Sequence, residues 1–213
     1  MTTLLLIRHG QSMANLEGVF AGNYDAPLTE LGYNQAKRTA EFIAENYKVD
    51  KVYASDLIRA FETGKCVADK LGLDVIPEPN LREIRAGKWE GILFDKIVSD
   101  FPKEYAKWMD DVGNSGCPSG ETVKELGERV LGALNSIVKE NEGKTVVLAT
   151  HATPVRVSQT LIGYGNLDAM KDVPWVSNAS VTEISYDDGE WKLVKIGQDN
   201  HLSDLKTNLP ANV

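Results

Sequence analysis

Cysteine is nearly missing from the chain. Its 213 residues contain two, Cys66 and Cys117, far apart and at no paired spacing. A dense disulfide framework and a cysteine-ligated zinc site are thereby excluded, and a reduced, cytoplasmic setting is the simplest expectation. One bridge between the two stays open. Long apolar runs are missing as well. The run Leu4-Leu5-Leu6-Ile7 is stopped by Arg8, too soon for a signal peptide or a membrane span. Basic tracts do not occur, and the formal net charge is -8 at pH 7. Nucleic acid and anionic membranes are therefore poor partners. A small anionic substrate is not excluded, because a few arginines in a closed pocket outweigh a distant field. There is no G-x-S-x-G elbow, no P-loop, no H-E-x-x-H and no H-x-H, which removes the commonest serine hydrolase, nucleotide-binding and zinc signatures.

What is present is an alternation of strand and helix patterns. Residues 4–7, 52–54 and 146–149 are unalternated apolar runs, as expected of central strands buried on both faces. Leu31, Ala36, Ala40, Ile43 and Tyr47 recur at helical spacing, and Thr29 precedes them as a cap. Ala60, Thr63, Val67 and Leu71 form a second stripe that Gly72 stops, and Val123, Leu126, Val130, Leu134, Ile137 and Val138 form a third. Residues 181–186 and 191–196 flank Asp187-Asp188-Gly189, a hairpin signal. The order β-α-β-α predicts a three-layer α/β sandwich with right-handed crossovers. We read residues 1–213 as one domain. A short insertion at about 91–120, rich in aromatics, is either a helical lid over the sheet edge or a plain packing helix.

Three of the apolar strands run into reactive residues. The first ends in Arg8-His9-Gly10, the second leads through Ser55-Asp56 to Arg59, and the third ends in Thr150-His151. Open parallel sheets bind ligands at the carboxyl ends of their strands, so these residues are expected to share one site. Taken singly each has a plainer role: a core histidine, a surface arginine, an Asp56–Arg59 ion pair. An arginine beside His9 disfavours a metal cation and favours an anion, since guanidinium groups grip phosphate oxygens in pairs. Nearby positive charge also keeps an imidazole neutral and nucleophilic. Helix N-termini after Ser55 and around Pro154 are expected to add backbone donors to the same anion. A leaving alkoxide needs a proton from a carboxylic acid. Glu83 follows an expected short strand at 75–76, but composition does not choose it over Glu78 or Glu90.

Six ordered blocks covering nearly the whole chain resemble the histidine phosphatase superfamily, in the branch that includes cofactor-dependent phosphoglycerate mutases. They are Arg8-His9-Gly10-Gln11-Ser12 with Asn15; Gly22-x-x-Asp25-x-x-Leu28-Thr29-x-x-Gly32; Ala54-Ser55-Asp56-Leu57-x-Arg59-Ala60-x-Glu62-Thr63; Leu81-Arg82-Glu83-Ile84 with Gly87-x-Trp89-Glu90-Gly91; Gly120-Glu121-Thr122; and Thr150-His151. The resemblance implies a phosphoglycerate mutase-like fold, a mixed, mainly parallel sheet flanked by helices. It implies that His9 takes the phosphoryl group and that Arg8, Arg59 and His151 hold it, with Asn15 and Gly22 assisting. It implies that Glu83 is the proton donor and later the base. Ala21 stands where relatives often carry a polar residue, and Ala152-Thr153 where many have glycine. His201 is read as structural.

The expected function is hydrolysis of phosphate monoesters of small metabolites, without a metal or cofactor. The alternative is a phosphoglycerate mutase primed by 2,3-bisphosphoglycerate. A protein that merely binds phosphorylated ligands needs neither nucleophile nor acid. Family mutases carry a longer insertion with arginines and a lysine for the glycerate carboxylate. Here residues 91–120 offer Lys96, Lys103 and Lys107 and no arginine, with Arg85 and Lys88 just before them. The sequence does not reveal the oligomeric state.

Overall fold

The alternation of patterns becomes a six-stranded sheet between two helical layers. In the computed structural model, which describes residues 1–207, the elements in chain order are β1 (Thr2–Arg8), α1 (Met13–Glu17), β2 (Val19–Phe20), α2 (Glu30–Asn46), β3 (Lys51–Ala54), α3 (Ile58–Leu71), β4 (Val75–Pro77), β5 (Ile92–Leu93), α4 (Phe94–Asp100), α5 (Pro102–Asp110), α6 (Val123–Glu140), β6 (Thr145–Thr150), α7 (Ala152–Tyr164), β7 (Val181–Asp187) and β8 (Glu190–Gln198). The sheet order is β4-β3-β6-β1-β7-β8. The first four run parallel, and the β7–β8 hairpin joins antiparallel beside β1. Asp188 and Gly189 both take positive φ in the two-residue hairpin turn, the conformation that Asp-Gly favours.

Side-chain alternation along β1 divides the core. Leu5 and Ile7 pack with Ala40, Ile43 and Val67 of α2 and α3. Leu4 and Leu6 face the other way, into a larger cluster with α6 and α7. Because both faces are covered, the strands read as continuous apolar runs. The helices begin at side-chain caps: Thr29 Oγ1 accepts from the Gly32 N–H, and Thr122 with Glu125 forms a reciprocal capping box. Gly72, with φ 68°, ends α3.

The aromatic insertion does not lie along β4 or β8, the sheet edges. Phe20 of β2 meets Trp89, Phe94 and Trp108 at ring-centroid distances of 5.5, 5.6 and 5.7 Å. β2 also pairs with β5, so a two-stranded ribbon ties the segment over the carboxyl ends of the strands. An apolar face of that size needs a partner, and Phe20 supplies one. Among the described residues no helix is long and apolar enough to cross a membrane.

Two glycines allow the N-terminus of α2 to reach the loop after β1. A Cβ on Gly10 would lie 2.3 Å from the Gly32 carbonyl oxygen, and one on Gly32 would lie 2.0 Å from that of Gln11. Gly32→Ala thus sets two effects against each other. Helix propensity alone favours alanine by about 1 kcal/mol. Forcing the backbones apart costs about 1–3 kcal/mol, and at 2.0 Å we expect that cost to prevail. A lower denaturant midpoint for Gly32→Ala is the expected result; a higher one would mean that the approach relaxes freely.

Candidate active site

Strand register sets the site. Arg8 lies opposite Thr150 across β1 and β6, and Ala54 of β3 lies opposite Ala149. The His9 N–H donates to the Thr150 carbonyl at 2.9 Å, and the Ser55 N–H to that of Ala149 at 2.9 Å. His9, Ser55 and His151 therefore emerge side by side from three neighbouring strands. Arg8, His9, Asn15, Gly22, Arg59 and Glu83 line a single solvent-open cleft there.

The imidazole of His9 is oriented from both sides. Its Nδ1 lies 2.7 Å from the Gly10 carbonyl oxygen. A carbonyl only accepts, so Nδ1 carries the proton and Nε2 keeps its lone pair. Arg59 Nε approaches that Nε2 at 3.3 Å. The remaining Arg59 nitrogens donate to the carbonyls of Tyr24 (2.9 Å) and Gly22 (2.7 Å). Gly22 thus lines the cleft and also holds the arginine. Its φ is +52°, and a Cβ would lie 2.5 Å from that of Ala86, so glycine is required. Arg8 donates through Nη1 to the Val176 carbonyl at 2.6 Å, while its buried Nε has no protein partner. Asn15 Oδ1 accepts from the Ser12 N–H and from Asn178 Nδ2, both at 3.1 Å; its amide nitrogen is left for the cleft.

Glu83 is 9% exposed. Its two oxygens accept from the N–H groups of Ile84 (2.8 Å) and Thr153 (3.3 Å). His151 does not line the cleft. It is fully buried, with its ring centroid 5.2 Å from that of His9 and Nε2 2.8 Å from Ser55 Oγ. Of the three candidate acids, the cleft receives Glu83 and neither Glu78 nor Glu90. His201 lies elsewhere, stacked on Phe42 at 4.5 Å and 2.9 Å from Thr39 Oγ1, which is a structural position. Cys66 and Cys117 are free thiols. Among the described residues no group of three potential ligands could hold a metal ion.

One expectation needs correction, and one plainer alternative falls. The N-terminus of α3 does not face the anion: its Ile58 N–H donates to Asp25 Oδ1 at 2.7 Å, and the Leu57 N–H to Ser55 Oγ at 3.3 Å. Local carboxylate and hydroxyl groups satisfy those donors first. Asp56 pairs with Arg82 instead of Arg59. The start of α7 does reach the cleft, through Ala152 and Thr153, and Ala21 lines it too.

One supporting group left no mark in the linear pattern. Arg129 of α6 donates Nη1 to the carbonyls of Asn80 (2.7 Å) and Arg82 (3.1 Å), and Nη2 to that of Glu83 (3.3 Å). Glu121 holds the guanidinium with both oxygens at 2.9 Å and accepts the Arg85 N–H. One partly buried ion pair thus clamps the main chain around Glu83. The other missed residues are the aromatic walls Phe20 and Trp175, which join Phe94 and Trp108 of the aromatic insertion. Arg85, Lys88, Lys96, Lys103 and Lys107 are exposed, and none of them lines the cleft.

A family model described as the histidine phosphatase superfamily (branch 1) matches residues 4–199. Phosphoserine phosphatase 1 of Hydrogenobacter thermophilus is 31% identical over 156 residues, 73% of this chain and 74% of that one. Phosphoglycerate mutase-like protein 4 of Arabidopsis thaliana is 31% identical over 204 residues, 94% of this chain and 87% of that one. The solved structure of a mycobacterial glucosyl-3-phosphoglycerate phosphatase complexed with VO3 superposes with a TM-score of 0.84 at 27% identity, covering 92% of this chain and 99% of that one.

The electrostatics predict an acid-labile fold. Burial, then the guanidiniums of Arg59 and Arg8, hold the His9 imidazole well below its ordinary pKa. Burial, then Arg59 and His9, do the same to His151. The unfolded chain protonates both near about pH 6.5, while the native state resists. The unfolded state therefore binds more protons, and stability present above about pH 6.5 is lost as the pH falls below it. The thermal midpoint should fall between about pH 7.5 and pH 5, and His151→Gln should flatten part of that fall. An unchanged slope in the variant would show that His151 is protonated in the native state.

Proposed function

The chain belongs to branch 1 of the histidine phosphatase superfamily, and on that premise we propose that it hydrolyses phosphate monoesters of small metabolites through a phosphohistidine on His9. His9 Nε2 attacks phosphorus along the line of the ester bond, and Glu83 gives its proton to the leaving oxygen as that bond breaks. The Glu83 carboxylate then takes a proton from water, the resulting hydroxide attacks the phosphohistidine, and inorganic phosphate departs with Nε2 restored. Arg8, Arg59 and the Asn15 amide bind the phosphate oxygens, and the neutral His151 ring packs against His9, with its centroid 5.2 Å away. Two guanidiniums supply the charge that a divalent ion supplies in other phosphoryl-transfer enzymes, so no metal enters the scheme.

The observation that carries this reading is the orientation of His9, with Nδ1 held by a carbonyl and Nε2 turned to Arg59. A carbonyl-anchored imidazole among arginines is arranged to attack an anion. Hydrolysis is favoured over phosphate reshuffling because the cleft is lined by Phe94 and Trp108 where a mutase needs cations for a glycerate carboxylate. The mutase-like relative keeps the second reading alive. A phosphoglycerate mutase assay run beside phosphate release decides between them. Phosphate release should exceed interconversion of 3- and 2-phosphoglycerate even with 2,3-bisphosphoglycerate present, should survive EDTA, and should vanish in His9→Ala. A faster mutase rate would reverse the assignment while leaving the phosphohistidine in place.

The acid is tested separately. Glu83→Gln keeps the shape but has no proton to give, so alkyl phosphates should lose about 10²–10⁴-fold in kcat. Nitrophenyl phosphate, whose leaving group needs no proton, should lose far less. Equal losses would assign Glu83 another role.

A further inference from the structure

We infer that the natural substrate carries an uncharged, largely apolar group on its ester oxygen, flat enough to lie against Trp108 and Trp175. This rests on the phosphatase reading of the same cleft and narrows it to a substrate class. Among the described residues, Arg8 and Arg59 are the only cationic ones lining the cleft. Both belong to the phosphate end: Arg59 touches His9 Nε2, and Arg8 is its chain neighbour. A bound phosphate dianion neutralises them. A second anionic group on the substrate would meet Glu83, Phe20, Phe94, Trp108 and Trp175. Burying an unpartnered carboxylate against such a wall is costly, whereas an apolar or aromatic group gains contact area there.

The wall is built and braced. Trp108 is 3% exposed and stands edge-on to Phe20 and Trp89, with centroids 5.7 and 5.8 Å away. Trp175 is half-buried, and the Arg156 guanidinium lies 4.2 Å from its ring centroid. The same guanidinium donates to the carbonyls of Val173 (2.7 Å) and Met170 (2.8 Å). One residue past Trp175, the Val176 carbonyl accepts from Arg8. The segment from 173 to 176 is thus tied at one end to Arg156 and at the other to an arginine of the phosphate site. Trp175 is held at a set position relative to the phosphate before any substrate arrives, which lowers the ordering cost of binding. Lys171 and Arg156 line an adjoining hollow that shares Trp108 and Trp175 with the cleft; Arg156 is already committed to two carbonyls and the Trp175 ring, so Lys171 is the cation more readily recruited by an acidic substrate.

The experiment compares kcat/KM for benzyl phosphate, methyl phosphate, phosphoserine and 3-phosphoglycerate. All four release an alkoxide, so the comparison reads binding instead of leaving-group strength. Benzyl phosphate should exceed each of the others by about tenfold or more, mainly through KM. Trp175→Ala should lower the benzyl-to-methyl ratio by about fivefold, and Trp175→Phe should keep it. Trp108→Leu provides an independent second variant, and a ratio within one variant is insensitive to how much of it is folded. Phosphoserine or 3-phosphoglycerate matching benzyl phosphate would overturn the inference. So would a benzyl-to-methyl ratio unchanged in both tryptophan variants. If none of the four esters is hydrolysed, the phosphatase reading itself fails, and the substrate class with it. Release of phosphate from any one of them preserves that reading and leaves the ratios to judge.

Discussion

The constraint on which the site depends is positive charge buried without a carboxylate in contact. Arg8 and Arg59 are 2% and 1% exposed, and among the described residues neither forms an ion pair. Their hydrogen bonds run to the main-chain carbonyls of Val176, Gly22 and Tyr24. A carbonyl satisfies an N–H without cancelling its charge, so the cleft keeps a field that an anion can use. The strain is visible in the arginines themselves: burial pushes the Arg8 pKa down to about 10, and the nearby Glu83 charge opposes the shift. The chain has to deliver three carbonyls from two distant loops to these guanidiniums, and the positive φ of Gly22 is one local consequence.

The fold divides this work between rigid and irregular parts. Strands buried on both faces hold the backbone at Arg8, Ala54 and Thr150, so the position of His9 is inherited from the sheet. The apolar wall of the cleft comes from loops and from the β2–β5 ribbon, which brings Phe20 and Phe94 together. The sheet sets where His9 stands, while the ribbon and the 173–176 segment set the walls beside it.

Much of this was legible in the chain. Unalternated apolar runs located β1, β3 and β6 because burial on both faces removes the polar alternation. Reactive residues at the ends of those runs located the site, and the resemblance selected Glu83 among three acids. What escaped notice acts through main-chain atoms or across long sequence distances. The carbonyl of Val176 carries no side-chain signature. Arg129 reads as one charge on an amphipathic helix, although it serves a loop 46 residues away. The donors expected at the start of α3 went to Asp25, a side chain 33 residues earlier. Neighbouring charges compete for the same groups, and a linear pattern does not rank them.

The Arg129 clamp has a further consequence for how this enzyme can vary. It grips the backbone oxygens of residues 80, 82 and 83, and it makes no demand on the side chains at 80 and 82. The path of the loop that carries Glu83 is thereby set through main-chain atoms, while the Arg82 side chain is separately committed to Asp56. A substitution at Asn80 leaves the grip on its carbonyl in place. The burden of invariance passes instead to two residues that never touch the phosphate, Arg129 and Glu121. A chain that lost either would be expected to lose the other, and descendants of this scaffold should show that pair changing together or not at all.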